Sequence, residues 1–239
     1  GNEMGFINWE FLYNTFWVAL GGVPIALLVT VVSLLIAVPV GFFLALSRIY
    51  EVPVLRQLTR IYVSFVRGTP VIIQIFILYS SIPLLLNELF TKYDIDYPIY
   101  AIHPIWYAFI IFAFNTSAVL VEVFRAALKT VPKGQLEAAY AIGLTTVQAY
   151  IRIIIPQALV SALPNLCNAT VNLIKATSLG YAISLKEITL LAKVEANVGY
   201  NYLEAYIDIF IVYLILCITV ETLFKWYERK LKRYKYVAV

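Results

Sequence analysis

Five polar residues, Ser161, Asn165, Asn168, Asn172 and Lys175, recur at spacings of 4, 3, 4 and 3. At about 100° per residue, a helix gathers them within an arc of about 80°. Amides and a hydroxyl in one row suit reversible hydrogen bonding, either to a facing helix or to a polar solute in a water-filled path. Lys175 ends the row with an ammonium, which calls for an anionic partner or ligand. Two other segments carry comparable groups: Asn115, Thr116 and Ser117, followed by Glu122 and Arg125, and Arg67-Gly68-Thr69-Pro70 followed by Gln74. Glu122 could pair with Arg125 at i, i+3 or hold a solute cation.

These groups lie in a chain of 239 residues that is 62% hydrophobic and 13% charged, with a mean hydropathy of +0.84. Globular domains carry roughly twice that charged fraction, so the surface of a soluble fold could not be covered. Four charge-free runs, residues 11–47, 68–87, 97–121 and 153–174, and a fifth apolar stretch, 205–224, interrupted by Asp208 and Glu221, define five membrane spans. A span takes about 20 apolar residues, and an open strand cannot satisfy its backbone in lipid, so the fold expected is all-α with five transmembrane helices.

Within the first span, Gly21, Gly22, Pro24, Pro39 and Gly41 predict a kinked or angled helix, and Ala37, Gly41 and Ala45 form a small-residue ridge for close packing. Asn115 lies 11 residues after Pro104, which puts it about 16 Å down a helix, near the midplane. Spans two, three and four thus bring polar groups to similar depth, as in the solute sites of transporters.

Lys and Arg fall on one side of this bundle. Arg48, Arg56 and Arg60, then Arg125, Lys129, Lys133 and Arg152, then six residues from Lys225 to Lys235 face Lys92, Lys186 and Lys193 on the other. The bias places the N-terminus outside and the C-terminus in the cytoplasm. The basic tail reads as an anchor on anionic lipid, and no soluble basic face suggests nucleic acid. Residues 1–16 contain no Lys or Arg, so no cleaved leader is expected. Residues 1–3 precede the only methionine, Met4, and read as an addition to the natural chain. Cys167 and Cys217 lie in apolar stretches and are expected as reduced, buried thiols; no metal site is expected.

The connector from Arg125 to Arg152 is too ordered in composition for a linker. Gln135 to Ile142 favours helix, Gly143 suits a left-handed C-terminal residue, and Thr145 or Thr146 can cap a second short helix. Such a pair forms a docking element for a cytoplasmic partner.

Glu137-Ala138-Ala139, Gly143 and Ile153-Ile154-Ile155-Pro156 together resemble the EAA motif of ABC importer permeases, with Ile155 in place of the usual leucine. The Arg67-Gly68-Thr69-Pro70 and Gln74 segment, Val131 to Gln135, and Leu173 to Leu179 are similar to the polar amino acid permease family, in which Ala176 is usually acidic or glycine. Leu163 to Asn168 and Gly199 to Tyr206 look most like cystine permeases. The resemblance implies a type I importer fold over residues 17–230, a coupling loop at about 131–156, an extracellular segment at 1–16 and a basic cytoplasmic tail at 231–239. It implies two permease subunits, identical or homologous, two cytoplasmic ATPase subunits, an extracellular solute-binding protein and a multi-pass location in a bacterial plasma membrane. Glu137, Ala138, Ala139 and Gly143 would contact the ATPase. The chain has no GxxxxGK[ST] loop, so ATP belongs to the partner and this chain is expected to be no enzyme and to bind no cofactor. The expected activity is inward passage of a polar amino acid. Lys175 would meet its α-carboxylate and Glu122 its α-ammonium, with Asn115, Ser117, Asn168, Asn172 and Thr177 as further candidate contacts. An ion-coupled secondary transporter or channel is the alternative, and an assembly or sensor subunit without a transport path is a second.

Overall fold

The structure, a computed structural model, describes residues 5–237, and the expected addition at residues 1–3 lies outside them. Among the described residues ten α-helices follow one another: α1 (Trp9–Leu20), α2 (Val23–Ile49), α3 (Leu55–Arg67), α4 (Val71–Lys92), α5 (Pro104–Lys129), α6 (Lys133–Ala141), α7 (Thr146–Ala149), α8 (Ile155–Thr177), α9 (Ile188–Gly199) and α10 (Tyr202–Val237). No strand occurs among the described residues. Five segments of the described residues are long and apolar enough to cross a membrane: Trp9–Ile49, Val71–Lys92, Pro104–Lys129, Thr146–Ile183 and Tyr202–Arg233. Each contains or overlaps one of the expected spans. The segment read as a tail continues α10 as far as Val237, and residues 238–239 lie outside the described residues.

The first span breaks at Gly21-Gly22, while Pro24 sits in the first turn of α2, where its missing N–H costs nothing, and Pro39 is carried inside the helix. Gly22 is needed there: a Cβ would stand 2.4 Å from the backbone nitrogen of Ile188. The small-residue ridge packs as expected. Ala37, Gly41 and Ala45 are buried, and α2 and α5 form the most extensive helix pair in the bundle. A Cβ on Gly41 would lie 2.8 Å from Leu120 Cβ on α5, so the ridge sets how closely the two axes approach.

At one end of the bundle the C-terminal turns of α2 and α5 meet the start of α8, where Leu46, Ile49, Ala127, Leu128, Ile154 and Ala158 share a core. Most of the basic residues belong to this end. At the other end α1, α9 and the first half of α10 enclose Ala19, Ala192, Ala196, Ala205 and Val212. Glu187 caps α9 there: its carboxylate accepts from the Thr189 and Leu190 amides at 2.8 and 2.9 Å and from the Tyr213 hydroxyl at 2.8 Å.

Span four begins earlier than Pro156. The helix runs from α7 through a π-helical turn, Tyr150–Ile154, into α8. Pro156 cannot bond the Arg152 carbonyl, and the wider turn just before it accommodates that loss without ending the helix.

Candidate solute path and coupling loop

On α8, Ala158, Ala162, Leu163, Ala169, Leu173 and Ile174 face the subunit interior, while Ser161, Asn165, Asn168, Asn172 and Lys175 are all exposed. Among the described residues, no side chain of this row makes a hydrogen bond or ion pair within the chain. A row of amides and an ammonium on the outer face of a membrane span is costly against lipid. It requires a second protein surface, water or a solute beside it.

Asn115 is half-buried on α5 and reaches toward the α3–α4 break. Its Nδ2 donates to Gln74 Oε1 at 2.8 Å. Gln74, only 2% exposed, turns its Nε2 to the Val66 carbonyl at 2.9 Å, the Thr69 carbonyl at 3.2 Å and the Thr69 hydroxyl at 2.8 Å. Val66 is the residue whose carbonyl a helical N–H at position 70 would have met, and Pro70 has none. The Gln74 side chain replaces that donor. Gly68 ends α3 and Thr69 caps back to the Phe65 carbonyl at 2.8 Å.

Other members of the expected set lie elsewhere. Ser117 and Thr177 each sit two residues, about 200° of helix, from Asn115 and Lys175, and so point inward. Both are buried and donate to their own helix, to the Ala113 and Ile174 carbonyls at 2.6 Å. Glu122 is held by two guanidiniums: its Oε1 by Arg48 at 3.3 Å and its Oε2 by Arg125 at 2.8 Å. The i, i+3 pairing with Arg125 is therefore present. Both carboxylate oxygens are taken, so no solute ammonium is assigned to Glu122, and it does not stand with Lys175.

Around Glu122 the fold gathers arginines that the sequence presents separately, as topology signals, as the i, i+3 partner of Glu122 and as part of the Arg67-Gly68-Thr69-Pro70 segment. Arg48 from the end of α2, Arg60, Ser64 and Arg67 from α3, and Arg125 from α5 line an open groove of about 510 Å³. The signal was legible in part, since Arg60, Ser64 and Arg67 share one face of α3 by spacing. What brings Arg48 and Arg125 to them is tertiary: the Ser47–Thr59 hydroxyl pair at 3.2 Å and the Tyr62 hydroxyl bonded to the Phe114 carbonyl hold α3 against α2 and α5.

The expected pair of short helices is α6 and α7. Gly143 has φ +85°, a left-handed conformation, and its amide bonds the Tyr140 carbonyl at 3.0 Å. Thr145 and Gln148 form a reciprocal capping box that starts α7. Glu137 and Ala138 are exposed, and Ala139 is buried beneath them. Tyr140, Ile142 and Val147 stand out beside Glu137, at 46%, 76% and 66% exposure. An acidic residue beside exposed apolar side chains on a rigid, capped turn has the composition of a protein-docking surface rather than of a linker.

An all-α membrane bundle with an unpaired polar row and a structured loop at its basic end describes a membrane subunit built to work with other proteins. Residues 37–233 match the family model described as binding-protein-dependent transport system inner membrane component, and the chain belongs to that family. It is 37% identical over 210 residues to the L-cystine transport system permease protein TcyL of Bacillus subtilis (strain 168), spanning 88% of this chain and 85% of that protein. It is 35% identical over 230 residues to the probable amino-acid permease protein YxeN of the same organism, spanning 96% and 98%. Among solved structures, a chain of an amino acid ABC transporter crystallised with histidines superimposes with a TM-score of 0.75 at 26% identity, covering 95% of this chain and 100% of that one. The chain is thus a multi-pass transport subunit, and the ion-coupled alternative is left without support.

Proposed function

We propose that this chain is the permease subunit of an ATP-driven importer for a polar amino acid, with cystine the favoured substrate. The observation that carries this reading is the exposed row on α8: a polar face within an apolar span that only a partner subunit and a solute path would satisfy. A second permease, identical or homologous, covers that face. Asn168 and Asn172 line the path between them, Asn115 contributes from α5, and Lys175 meets the substrate α-carboxylate. Ser117 and Thr177 support the helices behind the path.

The basic end faces the cytoplasm of a bacterial cell, where two ATPase subunits use the ATP. Glu137 and the apolar residues beside it seat in a groove of the ATPase, and Gly143 fixes the angle between the two short helices. A solute-binding protein delivers substrate at the opposite end. The printed names of the similar permeases, one for L-cystine and one for amino acids in general, support the substrate class. The test is substrate-stimulated ATP hydrolysis by the assembled complex with its binding protein, comparing cystine with glutamine, arginine and histidine. Stimulation by cystine alone supports the assignment. Stimulation by another of the four moves the substrate, and stimulation by none removes it.

A further inference from the structure

The groove around Glu122 holds four guanidiniums against one carboxylate, three positive charges in excess. Arg48 and Arg125 already occupy both oxygens of Glu122. Arg60 and Arg67 have no ion-pair partner among the described residues, and Nε of Arg125 is buried with no acceptor. Donors therefore outnumber acceptors at a place where an unpaired buried N–H is costly. None of the α8 row lines this groove, so it is separate from the proposed solute path.

We propose that this groove is a binding site for a phosphate-type oxyanion, carried by an acidic lipid headgroup or free in solution. Guanidinium forks match phosphate oxygens two at a time, and several of them converging on one groove is the arrangement such a group selects. Arg60 and Arg67 are seven residues apart, about 20° around the helix and about 10 Å along it, so both line the same groove with Ser64 between them. Leu58, Ile61 and Phe65 are exposed on the flank of α3 about 100–160° round the helix from Arg60. A lipid whose phosphate sits among the arginines could thus lay its acyl chains along the same helix. The groove lies at the basic end of the bundle, where anionic lipid is drawn.

The experiment titrates the purified permease–ATPase complex in detergent with phosphatidylglycerol, with phosphatidylcholine and with inorganic phosphate, counting bound molecules by native mass spectrometry. Phosphatidylglycerol binding should saturate, weaken with salt, and fall about thirtyfold in the Arg60→Gln/Arg67→Gln double variant, at about fivefold per guanidinium. The Arg60→Lys/Arg67→Lys variant should recover part of the affinity. Neutralising Arg229 and Lys230 in α10 should leave it unchanged. Competition by inorganic phosphate identifies a free anion as a ligand; an inert phosphate identifies the lipid headgroup. The proposal is overturned if phosphatidylglycerol binds no better than phosphatidylcholine while phosphate is inert. It is equally overturned if the double Gln variant, with its thermal midpoint retained, binds as the parent does, or if the α10 variant loses as much.

Discussion

The Gln74 side chain donates to the Val66 carbonyl at 2.9 Å, supplying the hydrogen bond that Pro70 removes from the backbone between α3 and α4. The break between α3 and α4 is therefore satisfied from four residues beyond Pro70, and Asn115 on α5 fixes the amide's other end at 2.8 Å. Val66 and Gln74 are buried, where an orphaned carbonyl finds no water, so one side chain keeps this junction in a defined shape.

Replacing Gln74 with Leu leaves the Val66 carbonyl and Asn115 without partners. The expected loss is about 1–3 kcal/mol, read as a lowered thermal midpoint of the purified protein in detergent. Asn115→Leu should cost less, since Gln74 keeps its own backbone contacts. The two losses should be less than additive in the double variant, because they share one hydrogen bond.

Gly41 faces Leu120 with no room for a methyl group. Gly41→Ala should separate α2 from α5 and lower the midpoint by the equivalent of about 1–3 kcal/mol. Gly134 in α6 has no atom within 4 Å of where a Cβ would stand. Gly134→Ala should be neutral or stabilising by up to about 1 kcal/mol, which separates crowding from helix propensity in the same assay.

These two sites mark how far the sequence could be read. The five spans were legible because each ionisable residue in hydrocarbon is expensive, so charge-free runs report the helices directly. The Ala37, Gly41 and Ala45 ridge was legible because a spacing of four fixes one face. The α8 row was legible for the same reason. Pro70 announced a break, but the donor that repairs it was not legible, since a glutamine names no partner. Ser117 stands in the same polar break as Asn115, and Thr177 in the same family-like segment as Lys175, yet two residues along a helix is the opposite face. For Glu122 the sequence offers Arg125 or a solute as partner, and Arg48, which comes from 74 residues earlier, takes the carboxylate's other oxygen.

Burial pushes the Glu187 carboxyl from 4.5 up to about 7, against the opposing pull of its hydrogen bonds from Thr189, Tyr213 and Leu190. In that window the folded chain holds a proton that the unfolded chain releases, so stability falls as pH rises from about 4.5 to about 7 and is level above it. The thermal midpoint measured from about pH 5 to about pH 8 should decline through this range. Glu187→Gln should lie below the parent at acid pH, having one acceptor fewer, and should show no decline. A parent midpoint that rises over the same range would contradict the burial of this group.

Glu137→Lys reverses the charge beside Tyr140, Ile142 and Val147 without touching the bundle. Gly143→Val forces a β-branched residue to φ +85°, at a local cost of about 1–3 kcal/mol, and tilts the two short helices. Glu137→Lys should keep the parent's thermal midpoint, and Gly143→Val should lower it by about 2–12 °C, at about 2–4 °C per kcal/mol. Both should lose co-purification with the ATPase or its substrate-stimulated hydrolysis, measured on the detergent-solubilised complex.

The proposed role of the α8 row, an amino-acid path driven by ATP, predicts the outcome of one assay: uptake of radiolabelled cystine into proteoliposomes holding the permease, its ATPase and its binding protein, with parent and Lys175→Ala proteins side by side. The expected result is uptake by the parent that requires ATP hydrolysis and falls at least about tenfold in the Lys175→Ala complex, through loss of an ion pair in a low-dielectric path. Uptake that proceeds on an ion gradient without ATP, or that is unchanged by Lys175→Ala, would contradict it.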